Sequence, residues 1–154
     1  MKKLLSFIVL AIILLVPLNN SHAWETYLWG NTNYVQIETQ QGTNYYVDLS
    51  SIYVKEYNPP TYKLVGNLVV VRNNQIIRTI PQEFKYDISN KKKWKMYYFS
   101  KKSGSYKYLN PKYIRSQNGT ILPMGELMFY SIYRMPFYGN QNPSQTFSRL
   151  YSLI

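Results

Sequence analysis

Residues 63–88 spell out a β-hairpin in their own spacing, and this limits the fold more than any other feature of the chain. Lys63–Arg72 contains Leu64, Val65, Leu68, Val69, Val70 and Val71, a run apolar enough to be buried on both faces. Asn73-Asn74 turns the chain, and Gln75–Ile88 returns with Phe84, Tyr86 and Ile88 alternating against Glu83, Lys85 and Asp87. A period of two places one set on a packed face and the other in water, which only a strand achieves. Pro81 predicts a bulge midway along the returning strand. Asn58-Pro59-Pro60, just before the hairpin, predicts a loop or edge, because proline lacks the N–H that a central ladder needs.

The rest of the chain extends the same pattern. Tyr, Val, Ile, Phe, Trp and Thr recur in short runs separated by Gly, Asn, Pro and Ser. Trp24–Gly30, Tyr34–Thr39 and Asn44–Asp48 read as strands, with Gln41-Gly42 as the turn between the last two. Ser50-Ser51 predicts a kink before extended structure resumes over Ile52–Tyr57. Asn90–Lys93 reads as a basic turn, and Trp94–Ser100 and Ser105–Leu109 as strands joined through Lys101–Gly104. A short strand is expected around Tyr113.

The C-terminal part changes period. Pro123 suits the first turn of a helix, where its missing N–H would be unpaired anyway. Glu126 is read as an acid in that turn, facing the positive end of the helix dipole. Met124, Leu127, Met128, Ser131 and Met135 recur at helical spacing until Pro136 and Gly139 stop them. A second short helix is expected from an N-cap at Ser144 to about Leu153. The fold class is α+β and β-dominated: a single antiparallel, meander-like sheet of about six strands with a C-terminal helix packed on it.

The first 23 residues have a different character. Lys2 and Lys3 precede an apolar run from Leu4 to Leu18, and a polar stretch ends in the small residues Ser21 and Ala23. This is the layout of a secretory signal peptide cleaved after Ala23. The run is shorter than the roughly 20 apolar residues that span a bilayer. Residues 24–154 are therefore expected as one basic, tyrosine-rich domain with no transmembrane segment. Cleavage removes 23 of 154 residues to leave 131, and without Lys2 and Lys3 there are 16 basic residues against seven acidic ones, a net charge of +9. Export predicts a periplasmic, cell-surface or secreted location. Asn118-Gly119 fits a glycosylation pattern but reads first as a turn.

Cleavage also limits the chemistry. His22 is the only histidine and the chain has no cysteine. Ser-His-Asp and Cys-His catalysis are excluded in residues 24–154, and a zinc site nearly so. No metal, other cofactor or catalytic residue is assigned, and no Gly-rich phosphate loop occurs. Asp48 is the best single catalytic carboxylate, but an Asp before Leu49-Ser50-Ser51 ordinarily holds a turn.

The basic residues point to binding instead. Lys91, Lys92, Lys93, Lys95, Lys101, Lys102, Lys107 and Lys112 fall within 22 positions, interleaved with Trp94, Tyr97, Tyr106 and Tyr108. If 94–100 and 105–109 pair, the ends of the hairpin are strongly positive with aromatic rings between them. Such a surface attracts polyanions by its field, and its rings stack on sugars. The plainer alternative is a solvated edge whose lysines prevent aggregation. Export argues against nucleic acid as the partner.

Trp24, Tyr45-Tyr46-Val47-Asp48 with Ser51-Ile52, a Val-rich strand, and Ile121-Leu122-Pro123 with Gly125-Glu126 together resemble the small exported bacterial proteins related to surface-adhesin protein E. The resemblance implies an antiparallel sheet flanked by a C-terminal helix. It also implies structural roles for Trp24, Tyr46, Asp48, Pro123, Gly125 and Glu126, and an association with host matrix and serum proteins. This chain lacks the cysteines that some members use, and its tail after Tyr138 is its own. The leading expectation is a non-enzymatic, adhesin-like binding module for polyanionic glycans or matrix-type proteins. The alternatives are a structural envelope protein working through edge strands or the Met-rich helix face, and a carboxylate-dependent glycan hydrolase using Asp48 and Glu126.

Overall fold

The computed structural model describes residues 26–90, 93–113, 119–138 and 145–154. The expected signal peptide, Trp24, Lys91, Lys92, Asn118, Gly139 and the Ser144 cap lie outside the described residues. Six strands, Tyr34–Gln40 (β1), Thr43–Asn58 (β2), Thr61–Arg72 (β3), Gln75–Asp87 (β4), Lys95–Ser100 (β5) and Ser105–Leu109 (β6), form one antiparallel sheet. Each pairs with its neighbour in sequence, in the order β1-β2-β3-β4-β5-β6. Among the described residues two helices follow, Ile121–Tyr133 (α1) and Gln145–Tyr151 (α2). The class is therefore the expected one, a β-dominated meander with a C-terminal helix packed on it.

The turns explain the meander. Gln41 and Gly42 both take positive φ between β1 and β2, as do Asn73 and Asn74 between β3 and β4. Two-residue turns of this hand match the twist of the strands they join. Pro59-Pro60, joined by a cis bond, closes the β2–β3 hairpin.

The two faces of the sheet are packed differently. On one, Leu64, Leu68, Phe84, Tyr86, Met96 and Leu109 are buried against α1, whose residues Leu122 to Phe129 are all buried. A helix that is apolar all round needs cover on both sides. Here the sheet lies beneath it, and Leu150 and Tyr151 of α2 pack against the same core. On the other face, Leu28, Tyr46, Val69 and Val71 make a smaller buried cluster. The unbroken burial of Leu68, Val69, Val70 and Val71 follows from this double cover.

Several local expectations are corrected. Trp24–Gly30 is not a strand where it is described: Tyr27 makes a single bridge to Val35, and Leu28–Gly30 is a 3-10 turn with Trp29 and Gly30 at positive φ. β2 runs on through Ser50-Ser51 as one strand, with the register slipping between Asp48 and Tyr53. Pro81 sits in regular register opposite Asn67, and the irregularity falls at Ile77 instead. Pro81 needs no bulge there, because β5 pairs only with Phe84–Asp87 and leaves the outer side of β4 open at that level. Pro111–Tyr113 is a 3-10 turn, not a strand. Helix α1 begins two residues before Pro123 and ends at Arg134, which caps it in the left-handed conformation.

Candidate functional site

Strands β5 and β6 pair in the register Met96↔Leu109, Tyr97↔Tyr108, Tyr98↔Lys107, Phe99↔Tyr106 and Ser100↔Ser105. Directly opposed residues share a face. Met96 and Leu109 point into the core, so Tyr97, Phe99, Tyr106 and Tyr108 all project from the opposite face, which no described element covers at this level. Their rings meet in cross-strand pairs, Tyr97 with Tyr108 at 5.6 Å and Phe99 with Tyr106 at 5.4 Å between centroids. Tyr108 is 42% exposed.

Strand β4 continues this surface. Lys85 lies opposite Tyr97, with its Nζ 6.0 Å from the ring centroid. This is a lysine that reading by proximity in sequence missed; the register Lys85↔Tyr97 was the missing information. Lys95 faces Asp87 across the same pair of strands. Farther along, Glu83 accepts Lys55 Nζ at 2.7 Å and the Tyr106 hydroxyl, while Lys63 Nζ reaches Glu56 at 2.6 Å. These are the ion pairs among the described residues. Burial pushes the Glu83 carboxyl up, but its hydrogen bonds from Lys55 and Tyr106 and the charges of Lys55 and Lys63 outweigh this and hold it below the usual range. Burial and the bond to Glu83 push the Tyr106 phenol up. The Glu83 and Glu56 carboxylates are thus paired with Lys55 and Lys63, while Lys85 brings its charge to the Tyr97 ring.

The expected binding residues are partly brought together. Lys95, Tyr97, Tyr106 and Tyr108 share the open face. Lys101 and Lys102 are exposed in the β5–β6 turn at one end of the hairpin, and Lys93 and Lys112 are exposed toward the other. Lys107 projects from the helix side, beside Tyr98. Trp94 turns into the core, its ring 5.3 Å from Phe137.

Of the residues expected to be structural, Tyr46, Asp48, Pro123, Gly125 and Glu126 are described. Tyr46 is 1% exposed. Asp48 Oδ1 accepts Ser50 N–H at 3.1 Å and Ser50 Oγ at 2.6 Å, and Ser51 Oγ in turn accepts Asn67 N–H, so this acid sits at the register slip of β2. Pro123 lies in the first turn of α1. Gly125 permits close approach: a Cβ there would collide with Met96 Sδ and fall 2.8 Å from the Phe84 ring.

Glu126 is not a first-turn residue, because α1 starts at Ile121. It is fully buried and accepts the N–H groups of Phe137 and Tyr138 and the Tyr151 hydroxyl. Phe137, Tyr138 and Tyr151 are 11 or more residues away, which helical spacing does not register. The available signal was a lone acid inside the apolar run Leu122–Phe129. Met124 and Met128 are also fully buried, so this part of the Met-rich helix face is core rather than docking surface.

Among the described residues no helix is long and apolar enough to cross a membrane, and no three potential ligands gather to hold a metal ion. Comparison with family models, curated proteins and solved structures finds no match.

Proposed function

We propose that this chain is an exported, non-enzymatic binding module of the cell surface or envelope, and that the open face of the β4–β5–β6 sheet takes a polyanionic glycan. One observation supports this above the others: four aromatic side chains, Tyr97, Phe99, Tyr106 and Tyr108, share one uncovered face with lysines at both ends of their hairpin. The rings supply flat apolar area for sugar faces, and the lysines supply the field that draws an acidic chain to them. Lys85, beside the Tyr97 ring, joins the two functions. The adhesin-like part of this reading, with matrix-type proteins as partners, draws on the resemblance to the protein E family and belongs to the same proposal. A structural envelope protein working through its sheet edges is the competing reading.

Retention on immobilised heparin, wall polymers and matrix proteins at rising salt tests the proposal. Replacing Lys85, Lys95, Lys101 and Lys102 with Gln should lower the eluting salt concentration on the glycans. Replacing Tyr97 and Tyr108 with Ala should weaken glycan binding while leaving its salt slope in place, since that slope counts charges. Wild-type protein that is retained on none of these supports, or variants that elute with it, would overturn the reading.

A further inference from the structure

The far end of the β3–β4 hairpin has a surface that the proposed glycan site does not use. β5 pairs with Phe84–Asp87 and runs on to Ser100 beside Gln82, whose Nε2 donates to the Phe99 carbonyl, so, among the described residues, 75–81 of β4 have no strand on their outer side. At this end the structure exposes Trp29 (57%), Ile76 (43%) and Ile77 (54%). Their exposure is not slack in the fold. Trp29 takes φ 52 and ψ 31, a conformation unfavourable for a bulky side chain, and its indole Nε1 donates to Asn74 Oδ1 in the hairpin turn at 2.7 Å. The chain therefore holds a large aromatic outward against the tip. Ile77 is the extra residue at the register slip between Val70 and Val71, which sets it beside Ile76.

Among the described residues, the charges flanking the two isoleucines have one sign. They are Arg72 and Arg78, and residues 57–82 contain no acid. Glu38, on β1, is separated from Arg78 by the two intervening strands β2 and β3. Arg72 commits Nε and one terminal nitrogen to Thr43 Oγ1, at 3.0 and 2.9 Å, which orients the guanidinium and leaves it donors to spare. The β5–β6 turn with Lys101 and Lys102 points to the same end of the sheet, farther back.

We propose that this tip is a membrane-contact site: Trp29, Ile76 and Ile77 enter the interfacial layer of a bilayer whose anionic headgroups are met by Arg72 and Arg78. A narrow apolar tip covers far less than the roughly 800 Å² per partner of a specific protein interface. A bilayer interface closes around such a shape, and an indole with an apolar ring and a hydrogen-bonding edge suits the headgroup level. The unpaired outer edge of β4 keeps the insertion shallow, because bare backbone N–H and C=O groups are not tolerated in hydrocarbon.

The test is cosedimentation with phosphatidylcholine vesicles, with and without phosphatidylglycerol. The protein should bind the anionic vesicles in a salt-sensitive way. Ile76→Ser with Ile77→Ser should weaken that binding at least about 10-fold from lost apolar burial. Arg72→Gln with Arg78→Gln should weaken it roughly 10- to 30-fold from lost headgroup attraction. Phospholipids brominated near the headgroup end of the acyl chain should quench the tryptophan emission, and Trp29→Phe should remove most of that quenching. Thermal unfolding of each variant separates loss of contact from loss of fold. No binding by the wild type overturns the proposal. So does binding that folded Ile76→Ser, Ile77→Ser protein retains in full, which would mark mere adsorption of a basic protein.

Discussion

Glu126 accepts the backbone N–H of Tyr138 with both carboxylate oxygens, each at 3.0 Å, from a position with no exposure to solvent. The same carboxylate takes the N–H of Phe137 at 2.6 Å and the hydroxyl of Tyr151. One acid in α1 thereby ties down the segment that follows the helix and also α2, and the aromatic cluster of Phe129, Phe137 and Tyr138 closes over it.

Glu126→Leu should therefore destabilise by more than its lost contacts suggest. It leaves two buried N–H groups without an acceptor, and each such orphan costs about 1–3 kcal/mol. We expect a total loss of ~3–5 kcal/mol in denaturant unfolding. Glu126→Gln keeps one acceptor oxygen but turns an NH₂ group toward donors, so an intermediate loss is expected. Amide exchange should accelerate first at Phe137 and Tyr138. Unchanged exchange there would show that the carboxylate does not hold this segment.

Gly125→Ala isolates the packing on the other side of the helix. Alanine is favoured in a helix interior by about 1 kcal/mol over glycine. At this position the added methyl meets Met96 Sδ and the Phe84 ring. Overpacking of this kind costs about 1–3 kcal/mol, so the substitution should destabilise despite the propensity gain. Gly66→Ala is the milder comparison, since its Cβ would meet the flexible end of Met128 at 3.0 Å. Urea unfolding of the two variants should rank them in that order.

Local spacing made the sheet legible. The alternation of Phe84 and Tyr86 against Glu83 and Lys85 marks the faces of β4, and Asn73-Asn74 marks its turn. The local bond of Asp48 was legible because its partner Ser50 is two residues away, but the stretch is a register slip within β2 and not a turn. What spacing does not register is contact across long separations. Lys85 joins the candidate site through strand register, and Glu126 leaves the helix start through bonds to residues 137, 138 and 151. Trp94 looked like part of the basic surface for the same reason: it adjoins Lys93 and Lys95 in sequence, whereas the pleat sends it to the opposite face.

The Glu83 network predicts a dependence on acid pH. The folded carboxyl titrates below its ordinary value of 4.5, so its contribution is present above that pH and is lost as the pH falls through the folded value. Glu83→Gln should flatten this part of the stability profile, measured as the denaturation midpoint between neutral and acid pH. Lys55 is half exposed, so solvent screening keeps the effect small. The Tyr106→Phe variant should show part of the same flattening, because the hydroxyl is a second donor to that carboxylate.

Alkaline pH should act on the opposite face. Tyr138 donates its hydroxyl to the Leu109 carbonyl at 3.0 Å and accepts Met96 N–H at 2.7 Å, bridging the end of the β5–β6 ladder from within the core. Tyr86 donates to the Gly125 carbonyl at 2.8 Å. Burial pushes both phenols well above their ordinary value of 10.0. A phenol raised in the folded state stabilises it fully below the unfolded value, and that contribution is lost as the pH climbs from 10.0 toward the folded one. The protein should therefore weaken above about pH 10 and unfold with a cooperative appearance of tyrosinate absorbance. Tyr138→Phe should cost about 1–3 kcal/mol at neutral pH by orphaning Met96 N–H, while making the alkaline decline shallower. A Tyr138→Phe protein as stable as wild type at neutral pH, with an unaltered alkaline slope, would show that this hydroxyl bridges nothing in solution.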